Sequence, residues 1–329
     1  MSFVSEKLQV LVPTFNRAEN LRCTLSQLLD DSSPVRECEL IVFDNCSNDS
    51  TAAVIEEFSR RFRNVSGVRN RYNVGGNANI VKCMERADKE YVWIVGDDDF
   101  YDFSHWSDVE LAMHDGEGVI CIADYLLDGE KRSLLPWQMV QSTFISGCIL
   151  NCRLYNDTVL AESYNHIHCL FPHMIPIVYH INGGGRIFVS QFPIVSNGDD
   201  GSSNKKDVSY TRGSDRCNIS PYTIRQTWLS GWCRLCASVQ DSALRHECFI
   251  AGLGFIDKGK TVVPKIDGFY AAEILRVAPL NMRKKLKKRF VMKKSWFTLM
   301  RYRLCACLLF WRREVYQEKI RRALAAWQG

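Results

Sequence analysis

Four short apolar runs punctuate the first hundred residues: Leu8–Val12 (LQVLV), Glu39–Phe43 (ELIVF), Val65–Val68 and Tyr91–Val95 (YVWIV). Between them, apolar residues recur at helical spacing. Leu21, Leu25, Leu28 and Leu29 mark one helix, Val54, Ile55, Phe58 and Phe62 a second, and Ile80, Val81, Met84 and Ala87 a third. Asn16 stands where it could cap the first of them. Strands that alternate with helices of about 10–15 residues build a parallel α/β sheet with helices on its faces. Such sheets bind ligands at the carboxyl ends of their strands. Pro13–Arg17, Asp44–Thr51, Asn73–Asn79 and Asp97–Asp99 all lie at such ends, so the pattern predicts that they face one crevice.

Beyond Tyr101 the order loosens. Val119–Ala123 and Arg186–Pro193 read as strands, Cys169–Ile181 as a helix, and 196–206 (SNGDDGSSNKK) as a polar loop suited to closing over a ligand. Helices dominate from Pro221 onward. The chain shows no internal repeat.

The chemistry concentrates in Gly96 and the aspartates that follow it, Asp97, Asp98 and Asp99. Three adjacent carboxylates repel one another unless water screens them or a cation sits among them. With Asp44 on a neighbouring strand end, they suit a hard divalent ion, Mn²⁺ or Mg²⁺, that completes its shell with substrate phosphates. Asn45, Ser47, Gly75, Gly76 and Asn77 could offer donors to a ligand. Neither G-x-x-x-x-G-K-[ST] nor G-x-G-x-x-G after the first strand occurs, which argues against kinases, NTPases and dinucleotide enzymes.

The net charge of +5 conceals an asymmetry. Residues 283–322 hold fifteen Lys or Arg against Glu314 and Glu318, a net +13 that leaves −8 for the rest. In that tail Leu286, Phe290, Phe297, Met300, Leu304, Leu308, Trp311 and Val315 recur in steps of three, four or seven. A basic amphipathic stretch of this kind fits an anionic membrane surface, and 283–327 is expected to make that contact. The alternative is a helical pair packed on the catalytic domain. No nucleic-acid fold accompanies the charge, so nucleic acid is not an expected partner. No run approaches the ~20 apolar residues of a membrane-spanning helix, and the N-terminus reads as neither signal nor transit peptide. The fourteen cysteines are scattered, and the one C-x-x-C, Cys233–Cys236, lacks a partner pair, so they read as reduced buried thiols.

VLVPTFNRAENL, IVFDNCSNDST and NVGGNANIVKCMERADKEYVWIVGDDD together resemble the opening half of a family 2 glycosyltransferase with the GT-A fold. More narrowly, they are similar to bacterial abequosyltransferase-like transferases of O-antigen and polysaccharide synthesis. The resemblance covers about residues 7–103, and FISGCILNCRLY (144–155) is similar to the acceptor-side segment. It implies a Rossmann-like, mostly parallel sheet flanked by helices, followed by a helical C-terminal region. The implied organisation is a catalytic domain over 1–215, a helical extension over 216–282 and the basic tail over 283–329.

The resemblance also implies roles. Pro13, Thr14, Asn16 and Arg17 would form the strand-end segment at the nucleotide, Asp44 would bond base or ribose, and Asn77 would support the pocket. Asp97 and Asp98 would reach the donor, Asp97 toward the ribose, and Asp98 or Asp99 would hold the metal, the register within the triplet staying open. The implied reaction is an inverting displacement on a nucleotide-sugar by a hydroxyl of a polyprenyl-diphosphate-linked glycan, in the cytoplasm at the inner face of the plasma membrane. The acidic pair that supplies the base in related enzymes is absent. Near its place stands His173, a candidate base whose alternative is a packing or capping role, with Glu162, His168, Asp199 and Asp200 as lesser choices, so the base stays unassigned. Two rivals remain at this point: a nucleotidyltransferase on a similar core, and a domain that binds without catalysing.

Overall fold

Strand β1 (Leu8–Thr14) runs through the middle of the sheet, and all but one of its residues are buried. Val10 and Val12 join the core on one face, and Leu11 is buried outside that cluster. A strand covered on both sides reads as a continuous apolar run. The computed structural model describes residues 2–123, 129–167, 170–196 and 231–258, all within the unit Met1–Thr261.

Strands β2 (Glu39–Asp44), β3 (Val65–Arg69) and β4 (Tyr91–Ile94) extend β1 in parallel, in the order β3-β2-β1-β4. They are separated by the helices α2 (Ala18–Leu28), α3 (Thr51–Arg61) and α4 (Gly76–Arg86), which follow the short α1 (Phe3–Lys7). The first half of the fold therefore matches the alternation in the sequence. β3 is the weakest strand, with Val65 its one buried residue.

Past β4 a two-residue strand β5 (Phe100–Tyr101) leads into α5 (Ser107–His114) and β6 (Val119–Cys121). After α6 (Leu135–Gln141) comes β7 (Cys148–Asn151), antiparallel to both β4 and β6. α7 (Asp157–Asn165) and α8 (Ile175–Asn182) precede β8 (Ile187–Val189), which pairs with β6 in parallel. β9 (Val195–Ser196) pairs with β5 outside the main sheet. Trp93 of β4 packs against Trp106 and Tyr101, so the indole joins the sheet to the segment after the aspartates.

Several expectations shift. Asn16 is not the cap of α2: that position is Arg17, and Asn16 takes φ 52°. Its side-chain oxygen instead accepts from Asn48 N–H at 2.8 Å, because a left-handed asparagine turns its amide toward the neighbouring strand-end loop. The helix expected over Cys169–Ile181 begins at Ile175, after a 3-10 turn at Pro172–Met174. Pro172 and Pro176 both sit at helix starts, where a missing N–H costs nothing. The strand expected to Pro193 ends at Val189. β7 had no forecast; its four buried residues are too few to show a period.

Helical residues 231–237 and α9 (Ser242–Lys258) follow, with α9 against α6. Trp232 donates to Cys248 C=O at 3.0 Å. Cys233 and Cys236 are both buried, and burial pushes the Cys236 thiol pKa well up. The boundaries expected at 215 and 282, and the basic tail, lie outside the described residues.

Candidate functional site

The carboxyl ends of β1, β2 and β4 and the start of α4 line an open cleft. The segment after β1 supplies Pro13, Thr14, Phe15 and Arg17, and the end of β4 supplies Asp97. The opposite wall is Asn45 after β2, with Asn73, Gly75, Gly76, Asn79 and Ile80 from the β3–α4 loop and the first turns of α4. Gly75 caps α4 at φ 86°, a left-handed value that favours glycine.

Asn45, Asn70, Asn73 and Asn79 form a chain of amides along that wall. Asn45 donates to Asn73 Oδ1 at 2.8 Å, while Asn70 donates to Asn45 Oδ1 at 3.0 Å and to Asn79 Oδ1 at 2.8 Å. Asn79 in turn donates to the Phe43 carbonyl at 2.9 Å, and Lys82 to Asn70 Oδ1 at 2.7 Å. The backbone N–H of Val74 and of Gly75 close on Asn45 Oδ1 and Asn73 Oδ1. With both acceptor oxygens of the wall occupied from within, Asn45 and Asn73 present N–H donors to a ligand.

The aspartates occupy three different surroundings. Asp97 is buried, accepting from Thr14 Oγ1 at 2.7 Å and from Arg17 Nη1 at 2.5 Å. Burial pushes its pKa up, and the Arg17 guanidinium opposes that rise. Asp98, at 17% side-chain exposure, pairs with Arg17 Nη2 at 2.8 Å. Asp99 is buried and accepts from Ser146 Oγ. The same hydroxyl accepts from Gly96 N–H at 2.6 Å, and the Ser146 carbonyl accepts from Trp93 Nε1 at 2.8 Å. A Cβ on Gly96 would lie 2.5 Å from Asp99 Oδ2, so the residue before the triplet must be glycine for this packing. Ser146 had not been singled out from the sequence; its signal was the segment FISGCILNCRLY, which brings a hydroxyl to the end of β4.

Pro13, Thr14, Arg17 and Asp97 thus meet at the cavity, with Asp98 and Asp99 beside them. Asn16, Asp44 and Asn77 do not line it. Asp44 is the last residue of β2, directly opposite Arg69 on β3, and its Oδ2 accepts from Arg69 at 2.7 Å while Oδ1 accepts from Ser47 N–H at 2.8 Å. Only 1% of Asp44 is exposed. The pleat turns its neighbour Asn45 to the cavity instead. Asn77 donates to the Ile167 carbonyl, tying α4 to the end of the α7 segment.

His173, the candidate base, lies elsewhere. It lies in a small cavity lined by Val92, Ile94, Ile145, Cys148, Leu150, Tyr155 and Ile177, beneath the sheet. Burial pushes its pKa down to about 4. A buried imidazole in this mostly apolar cavity is closed to a substrate hydroxyl, which favours the packing role over that of base. Glu162 accepts from Asn165 on α7 and does not line the crevice. His168, Asp199 and Asp200 lie outside the described residues.

Asp98 and Asp99 suit a divalent cation by the chemistry of their oxygens. Magnesium commonly takes one or two carboxylates and fills its shell with water and substrate phosphates. Among the described residues, no group of three or more His, Cys, Asp or Glu is placed to hold a metal ion.

Residues 9–179, just over half of the chain, match the family described as Glycosyl transferase family 2. Among curated proteins, the chain is 29% identical over 131 residues to the poly(ribitol-phosphate) beta-N-acetylglucosaminyltransferase TarP of Staphylococcus aureus, covering 39% of each chain. It is 31% identical over 94 residues to a GalNAc(5)-diNAcBac-PP-undecaprenol beta-1,3-glucosyltransferase of Campylobacter jejuni, covering 28% of this chain and 30% of that one. These matches span well under half of either relative. Among solved structures, S. aureus TarS 1-349 in complex with UDP-GlcNAc superposes with a TM-score of 0.54 at 16% identity, over 87% of this chain and 84% of that one.

Proposed function

The chain belongs to glycosyl transferase family 2 and carries the GT-A fold, and on that premise we propose that it is an inverting, divalent-metal-dependent glycosyltransferase. It moves a sugar from a nucleotide-sugar donor to a lipid-linked glycan acceptor in the synthesis of a bacterial surface polysaccharide. One observation carries the reading: an open, amide-lined cleft at the strand ends leads to three aspartates, one of which lines it.

Each part of the crevice has a task in that reaction. Asn45 and Asn73 offer donors to carbonyl oxygens of a base, between Pro13, Phe15 and Ile80 as apolar walls. The first turn of α4 brings a helix N-terminus, favourable to anions, to the same wall. Asp97, held by Thr14 and Arg17, would take the ribose. Asp98 and Asp99 would hold Mn²⁺ or Mg²⁺, which when bound neutralises the diphosphate leaving group. Ser146 and Gly96 hold Asp99 in place, so the carboxylate needs little rearrangement.

The acceptor is read from two directions. The relative from C. jejuni is named for a PP-undecaprenol-linked glycan and TarP for poly(ribitol-phosphate). The basic amphipathic stretch 283–327 favours the lipid-linked class, since it would hold the enzyme peripherally on the inner face of the membrane where such acceptors are displayed. Among the described residues no helix is long and apolar enough to cross a membrane.

The test is transfer from radiolabelled nucleotide-sugars to undecaprenyl-diphosphate glycans and, separately, to poly(ribitol-phosphate). Label in the lipid fraction supports the reading, and label only in the polyol polymer replaces the acceptor. Donor binding without transfer to any acceptor favours a binding protein. Release of diphosphate with formation of a nucleotide-sugar favours a nucleotidyltransferase.

A further inference from the structure

The guanidinium of Arg17 bridges two of the three aspartates. Nη1 lies 2.5 Å from Asp97 and Nη2 2.8 Å from Asp98, with 13% of the Arg17 side chain exposed. The residue is anchored where β1 turns into α2: it is the cap of that helix, and its carbonyl accepts from Leu21 N–H at 2.9 Å. The fork is therefore held from a fixed point of the backbone. Its planar pair of donors suits two carboxylates at once, and suits phosphate oxygens equally well. Three consecutive carboxylates need positive charge nearby, and here the chain supplies it. A divalent cation that takes Asp98 as a ligand meets a competitor already in place and a like charge beside it.

We propose that Arg17 gates the cation site: it keeps Asp98 in an ion pair until the diphosphate of the donor takes over one arm of the guanidinium, so that cation and nucleotide bind as a coupled pair. This rests on the transferase reading above. In the free protein the cation must compete for Asp98. With a diphosphate present, one arm of Arg17 turns to phosphate oxygens, Asp98 is released, and the cation gains both the carboxylate and the phosphates. Asp97 keeps its Thr14 hydroxyl at 2.7 Å and the other arm of the fork throughout. Arg17 acts here as a positioning residue for Asp98 and as a direct ligand of the leaving group.

The experiment measures Mn²⁺ binding to the full chain by the paramagnetic resonance signal of free Mn²⁺, alone and with saturating UDP, GDP, CDP or dTDP. Wild type, Arg17→Met and Arg17→Lys are compared, with melting curves to confirm folding. In wild type, the matching nucleotide should tighten Mn²⁺ about tenfold or more, within the usual range of coupling between sites. Arg17→Met should bind Mn²⁺ alone about tenfold tighter and lose most of the tightening by nucleotide. Arg17→Lys keeps a charge beside Asp97 but has no fork, and should lose the coupling as well; it decides the matter if the methionine variant does not fold. Wild-type coupling retained in Arg17→Lys and in any folded Arg17→Met overturns the gate. Independent binding of Mn²⁺ and nucleotide in wild type overturns the gate and leaves the transferase reading standing. No Mn²⁺ binding with any nucleotide overturns the metal reading and the gate with it.

Discussion

The hydroxyl of Ser146 donates to Asp99 across forty-seven residues of chain, from the turn before β7 to the end of β4. Because the same oxygen accepts from Gly96 N–H, one fully buried side chain fixes both ends of the turn that carries the aspartates. Ser146→Ala takes a buried hydrogen bond from each partner, which should cost about 1–2 kcal/mol of stability. It should also weaken Mn²⁺ binding in the presence of nucleotide. Chemical denaturation and a metal titration on the same preparation check the two effects.

Gly96→Ala attacks the same turn by volume. The new methyl would stand 2.5 Å from Asp99 Oδ2 and 3.3 Å from Ser146 Oγ. Asp99 is buried and cannot swing away without losing its serine, so the carboxylate must shift. The expected outcome is a loss of metal-dependent nucleotide binding larger than the loss in melting temperature. Calorimetric titration with Mn²⁺ present, set beside a melting curve, measures both.

Asp44 and Asn45 should separate stability from recognition. Arg69 is 49% exposed at its side chain and Asp44 only 1%, so truncating the arginine leaves a carboxylate buried with a single backbone donor. Arg69→Ala should cost about 2–3 kcal/mol, toward the lower side for breaking a buried pair because solvent reaches the arginine. It should change nucleotide affinity little. Asn45→Ala should do the reverse in ranking, weakening nucleotide binding severalfold, because its amide stands on the cavity wall and orients Asn73. Equal affinity losses in the two variants would contradict this division.

His173 predicts a pH dependence with a definite sign. Burial lowers its pKa from 6.5 to about 4 in the folded chain. As pH falls below 6.5 the unfolded chain takes a proton that the folded chain refuses, so stability declines until about pH 4 and this contribution then levels off. The full shift corresponds to about 3 kcal/mol. His173→Phe, which suits the aliphatic cavity, should remove that part of the slope. Unfolding free energies of both proteins between pH 7 and pH 4 test it.

The parts of the fold legible in the sequence were those buried on both faces. β1, β2 and β4 are short uninterrupted apolar runs, and their polar sequels mark the crevice because a parallel sheet places all its strand ends together. Short strands beyond β4 carry too few residues for a period to emerge, which is why β7 had no forecast and the run at 186–193 read too long. Side-chain parity was the other gap. Asp44 and Asn45 are adjacent, and which one enters the cavity depends on the pleat and on Arg69 lying directly opposite across β2 and β3. Asn16 and His173 misled for a similar reason: each has the right chemistry at the right chain position, and local geometry turns it elsewhere. Ser146 and Arg17 meet the aspartates through contacts forty-seven and eighty residues away, so their segments could be placed near the site from the sequence but the contacts themselves could not.

The central claim is that this crevice binds a nucleotide-sugar through a metal held by the aspartates. The direct measurement is calorimetric titration of the full chain with UDP-, GDP-, dTDP- and CDP-sugars, with and without Mn²⁺, beside an Asp98→Asn, Asp99→Asn double variant. Metal-dependent binding of one nucleotide class, lost in the variant, is the predicted result. Failure of a folded wild-type protein to bind any of the four with Mn²⁺ present would contradict the account.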